Sequence, residues 1–247
     1  FFASCNRPEK TGQLILTFET QVDGQQVDYH ILHYVNAAGN TYQIDEVRYF
    51  ISQVKLHSST GKVVVIENDE GLHYYDSNIP ETFSWTISDE ISEGLYDSVS
   101  FVVGLPSSQN VTGHFVNPPE NNMAWPEVLG GGYHYMQING KWLNTNNSMQ
   151  PFNLHTGIGQ VYENAQVTQF VDNSFEVKLA LKDLKIEAGT TALRALVMNV
   201  NNWFCSPNVY DFNEWGGAIM QNQAAQQVLK ENGQDVFSVE IISCLYE

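Results

Sequence analysis

The segment from Tyr42 to His57 constrains the fold more than any other part of the chain. Ile44, Val47, Tyr49, Ile51, Val54 and Leu56 are interleaved with Asp45, Arg48, Ser52, Gln53 and Lys55. A period near two sends these sets to opposite faces of a sheet, whereas an amphipathic helix needs a period of 3.6. One slip in the alternation predicts a β-bulge. Val63-Val64-Val65-Ile66 follows a Ser-Ser-Thr-Gly turn and gives a hairpin signal. Further strands are predicted at Leu14–Phe18, Phe83–Ile87, Tyr96–Gly104, Tyr133–Ile138, Phe175–Leu181, Ala192–Val200 and Val236–Leu245. Turn residues separate them at roughly ten-residue intervals, the pattern of a sandwich or barrel. The expectation is an all-β antiparallel sandwich with one short C-terminal surface helix over 217–231. That helix has Ile219, Met220, Ala224, Val228 and Leu229 near helical spacing and Asn232-Gly233 as its stop.

A chain of 247 residues with 43% hydrophobic content can bury one large β-domain. Eleven Lys and Arg against 28 Asp and Glu give a formal charge of −17, which argues against nucleic acid or an anionic membrane surface as partner. The start, Phe1-Phe2-Ala3-Ser4-Cys5, reads as the tail of a bacterial lipoprotein signal peptide, with Cys5 as the lipidated residue. Residues 1–12 are then signal remnant, lipidated Cys and tether, and 13–247 a single domain. The protein is expected to be extracytoplasmic and lipid-anchored to a bacterial membrane. In such an oxidising setting the two remaining cysteines, Cys205 and Cys244, read as one disulfide.

Chemistry concentrates in Met123-Ala124-Trp125-Pro126, Gly130-Gly131-Gly132-Tyr133-His134-Tyr135-Met136 and Leu154-His155-Thr156-Gly157. The loop from Pro106 to Gly132 is long for a compact domain, and such loops are usually functional or disordered. Met123, Trp125 and Leu129 argue for order. Alternation places His134 on one strand face with Met136 and Ile138, at the inward rim of a sheet. His155 lies in a glycine-flanked turn. Two neutral imidazoles suit copper or zinc, and a nearby thioether from Met136 or Met123 favours copper(I). Each histidine alone reads first as a satisfied polar residue; the pair, both in glycine-rich and polar-flanked segments, is what points to a metal. His73 is a candidate third ligand and His114 a weaker one, while His30, His33 and His57 read as structural. Trp125 is read as a packing residue, a shield for the metal, or an oxidised ligand. There is no G-x-S-x-G and no HExxH, so a serine hydrolase and a zincin are not indicated.

The ordered series of these segments resembles the MbnP-like family of bacterial copper-binding proteins, named for its association with methanobactin operons. It runs through Leu16-Thr17-Phe18, Val47-Arg48-Tyr49-Phe50-Ile51-Ser52, Gly94-Leu95-Tyr96-Asp97-Ser98-Val99-Ser100-Phe101, the tryptophan and histidine segments above, Trp203-Phe204, and Asn232-Gly233-Gln234-Asp235-Val236-Phe237. The resemblance implies a β-sandwich, secretion or lipid anchoring, and copper binding. It further implies two histidines, here His134 and His155, beside a tryptophan oxidised to kynurenine, here Trp125. A dihaem peroxidase-like enzyme is the implied partner. Trp125 and His134 stand nine positions apart, separated by a proline and a glycine run.

The expected function is copper capture or handling by a binding protein, not an enzyme, with His134 and His155 as ligands and His73, Met136 or Trp125 completing the shell. Zinc is the alternative metal. The alternative function is a cell-surface sandwich that binds protein or glycan through Tyr74, Tyr75, Trp142, Trp203 and Trp215.

Overall fold

A computed structural model describes residues 10–242. Two sheets enclose the main core. In the first, strand Thr11–Val22 pairs with Thr191–Asn199 on one side, and with Ser84–Ser92 and the short Gln25–Gln26 on the other; Phe237–Glu240 closes the edge beyond Thr191–Asn199. The Thr11–Val22 and Thr191–Asn199 pair is parallel, in register from Gln13 opposite Thr191 to Gln21 opposite Asn199. The sandwich is therefore mainly, not wholly, antiparallel.

The second sheet is built on Thr41–Ser58, the segment with the long alternation. Its first half pairs with Met136–Leu143, whose outer neighbour is Met149–Thr156. Its second half pairs with Gly94–Val103, followed by Phe175–Ile186. The changeover falls at Phe50, whose N–H donates to Tyr135 O and whose carbonyl accepts from Gly104 N. Tyr34–Val35, Leu72–Asp76 and Val63–Val65 also pair with Thr41–Ser58. Pairing slips between Ile44 and Glu46 and again between Ser52 and Lys55, where Gln53 takes a φ of 54°. These two irregularities are why Ile44, Val47, Tyr49, Ile51, Val54 and Leu56 all reach one core despite spacings of three.

That core also holds Leu14, Leu16 and Phe18 from the first sheet, with Met136, Ile138 and Leu154. The outer face of the second sheet carries a smaller cluster of Phe50, Leu72, Tyr74, Leu105, Met123, Tyr133 and Tyr135, with Phe115 and Ile158 at its edge. Much of this cluster comes from the Pro106–Gly132 loop and its flanks. The loop is thus an ordered roof, because its large side chains have an apolar sheet face to bury against.

The C-terminal helix spans Gln223–Asn232, shorter than the expected 217–231. Asn222 caps it by accepting from Ala225 N at 3.1 Å. Ile219 is fully buried in the main core ahead of the helix, which explains its misleading contribution to the helical pattern. A one-turn helix, Phe212–Trp215, precedes it. A projecting hairpin, Ile158–Glu163 with Gln166–Asp172, has no counterpart in the sequence reading. Cys205 is exposed; its expected partner Cys244 and the lipidation candidate Cys5 lie outside the described residues. No helix among the described residues is long and apolar enough to cross a membrane.

Candidate metal centre

The nine-residue separation of Trp125 and His134 is the arc of a tight hairpin. Ala124 and Tyr133 form an antiparallel bridge. Trp125 N donates to Gly132 O at 2.8 Å, and His134 N donates to Met123 O at 2.7 Å. Gly130, Gly131 and Gly132 take φ values of 116°, 66° and 81°. The φ of Gly130 lies beyond the left-handed well that other residues visit, and a Cβ at Gly132 would strike Asn110, which explains glycine at these positions. Asn110 and Thr112 pin the arc from outside: Asn110 Oδ1 accepts from Tyr133 N at 2.8 Å and Thr112 Oγ1 from Gly132 N at 2.9 Å.

This hairpin brings Trp125, His134 and His155 together. The Trp125 and His134 ring centroids lie 4.7 Å apart in an edge-to-face arrangement, and those of His134 and His155 lie 4.9 Å apart, nearly perpendicular. Trp125 is buried, with Nε1 donating to Leu129 O at 3.1 Å. Its ring rests on Gly157, where a Cβ would meet Trp125 Cε3 at 2.8 Å. Gly157 is held in turn by the terminal helix, since its N–H donates to Gln226 Oε1 at 3.1 Å.

His155 occupies the penultimate position of strand Met149–Thr156, not a turn. Its cross-strand partner is Gln137, and Leu154, paired with Ile138, faces the main core. His155 therefore points to the outer face of the sheet. His134 meets it there because the chain bends at Tyr135 before the strand Met136–Leu143 begins. The expected shared face of His134, Met136 and Ile138 is thus broken by one residue. The histidine pair lies under the loop roof, and Met136 is fully buried in the core on the other side of the sheet.

His73 also lies apart from the pair. It is paired with Ile51 on the inner face, with its ring stacked on Phe18 at 4.2 Å and on Trp85 at 5.5 Å. Its Nε2 donates to Thr82 O at 2.8 Å. His114 sits beside Glu70, 3.3 Å from its carboxylate. Of the metal candidates, then, the structure gathers His134, His155 and Trp125, and leaves His73 and Met136 on the opposite face. Among the described residues, no three His, Cys, Asp or Glu side chains assemble as a metal cluster. The aromatics of the alternative reading, Tyr74, Tyr75, Trp142 and Trp203, are all buried and form no contact surface. Trp215 is half-buried against the core.

Burial sets the protonation of the pair. It lowers the His134 pKa to about 4, partly opposed by the Met123 and Ala124 carbonyls. It lowers His155 to about 3, helped by the neighbouring His134 and by Arg48. Both rings are neutral at pH 7, as metal binding requires. His134 Nδ1 lies 2.8 Å from Met123 O, an acceptor only, so Nδ1 carries the proton. His134 Nε2 is then a lone-pair acceptor, buried and with no hydrogen-bond partner. His134 is 6% exposed, and an orphaned polar atom at that depth is costly unless a ligand satisfies it. Sequence reasoning missed Asn139, Glu46 and Arg48, which line the same outer face; their signal was the alternation itself, which puts Arg48 opposite Gln137 and, after the bulge, Glu46 opposite Asn139.

The sequence pattern of the MbnP family matches residues 11–222. The chain belongs to the MbnP family. MbnP from Methylosinus trichosporium has the same fold: it superposes with a TM-score of 0.56 at 16% identity, covering 95% of this chain and 100% of that one. No curated protein matches this chain.

Proposed function

We propose that this MbnP-family chain binds copper, holding copper(I) between His134 and His155 with Trp125 packed against the pair. Membership of a family named for methanobactin operons suggests a copper-related role. The observation that carries the reading is the buried, unpartnered Nε2 of His134 beside a second neutral imidazole. Ring centroids 4.9 Å apart are close enough for both rings to reach one ion at about 2.0–2.1 Å per bond. Among the described residues no third His, Cys or carboxylate completes the site, and two imidazoles suit copper(I), which accepts low coordination numbers, better than zinc, which takes four ligands in structural sites. The low pKa values spare the site from competition with protons in the neutral range.

The protein's role in this reading is capture or handling of copper rather than catalysis. Two further elements belong to the same proposal: oxidation of Trp125 by a dihaem peroxidase-like partner, and lipid anchoring outside the cytoplasm through Cys5. Mass spectrometry of the Trp125 peptide from the native host reads the first, and labelling of wild type against Cys5→Ser with a fatty-acid analogue reads the second. The metal reading itself is tested by competition titration against a chromogenic copper(I) chelator. One ion per chain is expected, with affinity reduced at least about tenfold in His134→Ala and His155→Ala and unchanged in His73→Ala. Equal affinity in His134→Ala and wild type overturns the site.

A further inference from the structure

We propose that Asn139, oriented by Glu46, is a positioning residue that fixes the tautomer of His155 and leaves Nδ1 as the nitrogen this ring offers to a metal. The ligand role of Nδ1 rests on the proposed copper site; the tautomer itself does not.

A chain of hydrogen bonds runs along the outer face of the second sheet. Asn139 lies two residues beyond Gln137 on the same face, and its Oδ1 is 2.8 Å from His155 Nε2. An Asn amide turned by 180° would present its NH2 to the imidazole instead and select the other tautomer. Glu46 decides between the two. Asn139 Nδ2 donates to Glu46 Oε2 at 2.9 Å, and a carboxylate offers only acceptors. The NH2 must therefore face Glu46 and the carbonyl oxygen must face His155. An oxygen acceptor demands a proton on Nε2, which in a neutral ring leaves the lone pair on Nδ1.

Glu46 is held in this role from its other side. Its Oε1 accepts from Arg48 Nη2 at 2.5 Å and from Asn78 Nδ2 at 2.7 Å. Arg48 Nε lies 2.8 Å from Asp76 Oδ2, so the guanidinium is anchored between two carboxylates. The bulge in Thr41–Ser58 sets the register: pairing passes from Ile44 opposite Gly140 to Glu46 opposite Asn139, skipping Asp45. The two rings thus present different atoms, Nε2 from His134 and Nδ1 from His155. Each opposite nitrogen is bound to an oxygen acceptor, Met123 O or Asn139 Oδ1, the pattern by which an outer partner aims a ligating imidazole.

Long-range 1H–15N correlation spectra of the metal-free protein at pH 7 test this directly. In wild type, His155 is expected to show a protonated, pyrrole-like Nε2 and an unprotonated, pyridine-like Nδ1. Asn139→Leu and Glu46→Gln are expected to move both His155 nitrogens toward averaged tautomer values, with the inner-face His73 signals unmoved as the check on folding. Copper(I) affinity in Asn139→Leu is expected to fall by about 10–100-fold. A wild-type His155 protonated at Nδ1 overturns the proposal, whatever the variants do. So do unchanged His155 shifts in a folded Asn139→Leu protein. The stated tautomer in a protein that takes up no copper(I) would overturn the metal reading and leave the positioning role standing.

Discussion

Mild acid should destabilise this fold steeply, and the histidines fix by how much. His134 is buried and His73 and His155 are half-buried, and removal from water lowers their pKa values from 6.5 to about 4 for His73, about 4 for His134 and about 3 for His155. In the unfolded chain each takes up a proton as pH falls through 6.5; in the native state each stays neutral until its lowered pKa is reached. The unfolded state therefore binds more protons throughout the window from 6.5 to 4, and stability falls with falling pH there. Three protons amount to about 4 kcal/mol per pH unit at full effect, so the loss by pH 5 is on the order of 5 kcal/mol. That is a large part of the 5–15 kcal/mol typical of a folded domain. Urea unfolding followed by tryptophan fluorescence at half-unit steps from pH 7.5 to 4.5 measures the slope. The expected slope approaches three protons, and His73→Phe, which keeps the ring stack on Phe18 and Trp85, is expected to remove one of them. A stability that stays level between pH 6.5 and 5 would refute the claim that these rings stay neutral in the native state.

Copper(I) affinity should stay level between pH 8 and pH 6, because neither histidine has a proton to release there; chelator competition at three pH values checks this, and a tenfold weakening by pH 6 would contradict it. Gly157→Ala places a methyl group within 3.0 Å of three Trp125 ring atoms, and overpacking of this kind costs about 1–3 kcal/mol; the loss should appear in denaturant melts together with a shift in tryptophan emission. Phe152→Ala, at a fully buried position that stacks on Phe212 at 4.7 Å, should cost about 3–5 kcal/mol while leaving the site's wild-type affinity in the folded fraction.

The alternation from Tyr42 to His57 made the second sheet legible, because inward side chains on a half-buried strand must be apolar. Its two bulges were harder to place, since a bulge shifts the pattern by one residue without leaving a residue type of its own. The same limit explains the misassigned face of His134. The alternation from Tyr133 to Ile138 runs unbroken in the sequence, whereas the backbone bends at Tyr135 so that Tyr135 N can donate to Thr156 O at 2.8 Å. The sequence around His155 reads as a turn, because Gly157 and Gly159 mask the strand before them. Those glycines serve packing: a Cβ at Gly157 strikes Trp125, and one at Gly159 strikes Gln223. Residue type alone makes His73 a candidate, and only the pairing with Ile51 reveals that it faces the other way. The parallel pairing of Thr11–Val22 with Thr191–Asn199 joins segments far apart in the chain, and no local signal announces such a contact.

X-ray absorption at the copper edge of protein loaded with one equivalent of copper(I) reads the ligands of the His134 and His155 site. Two imidazole nitrogens at about 2 Å, with the outer-ring scattering that imidazole gives, are predicted, and His155→Ala should halve that imidazole signal. Sulfur scattering from Met136 or Met123 in the first coordination sphere, or a spectrum that His155→Ala leaves unchanged, would rule out copper(I) held by His134 and His155.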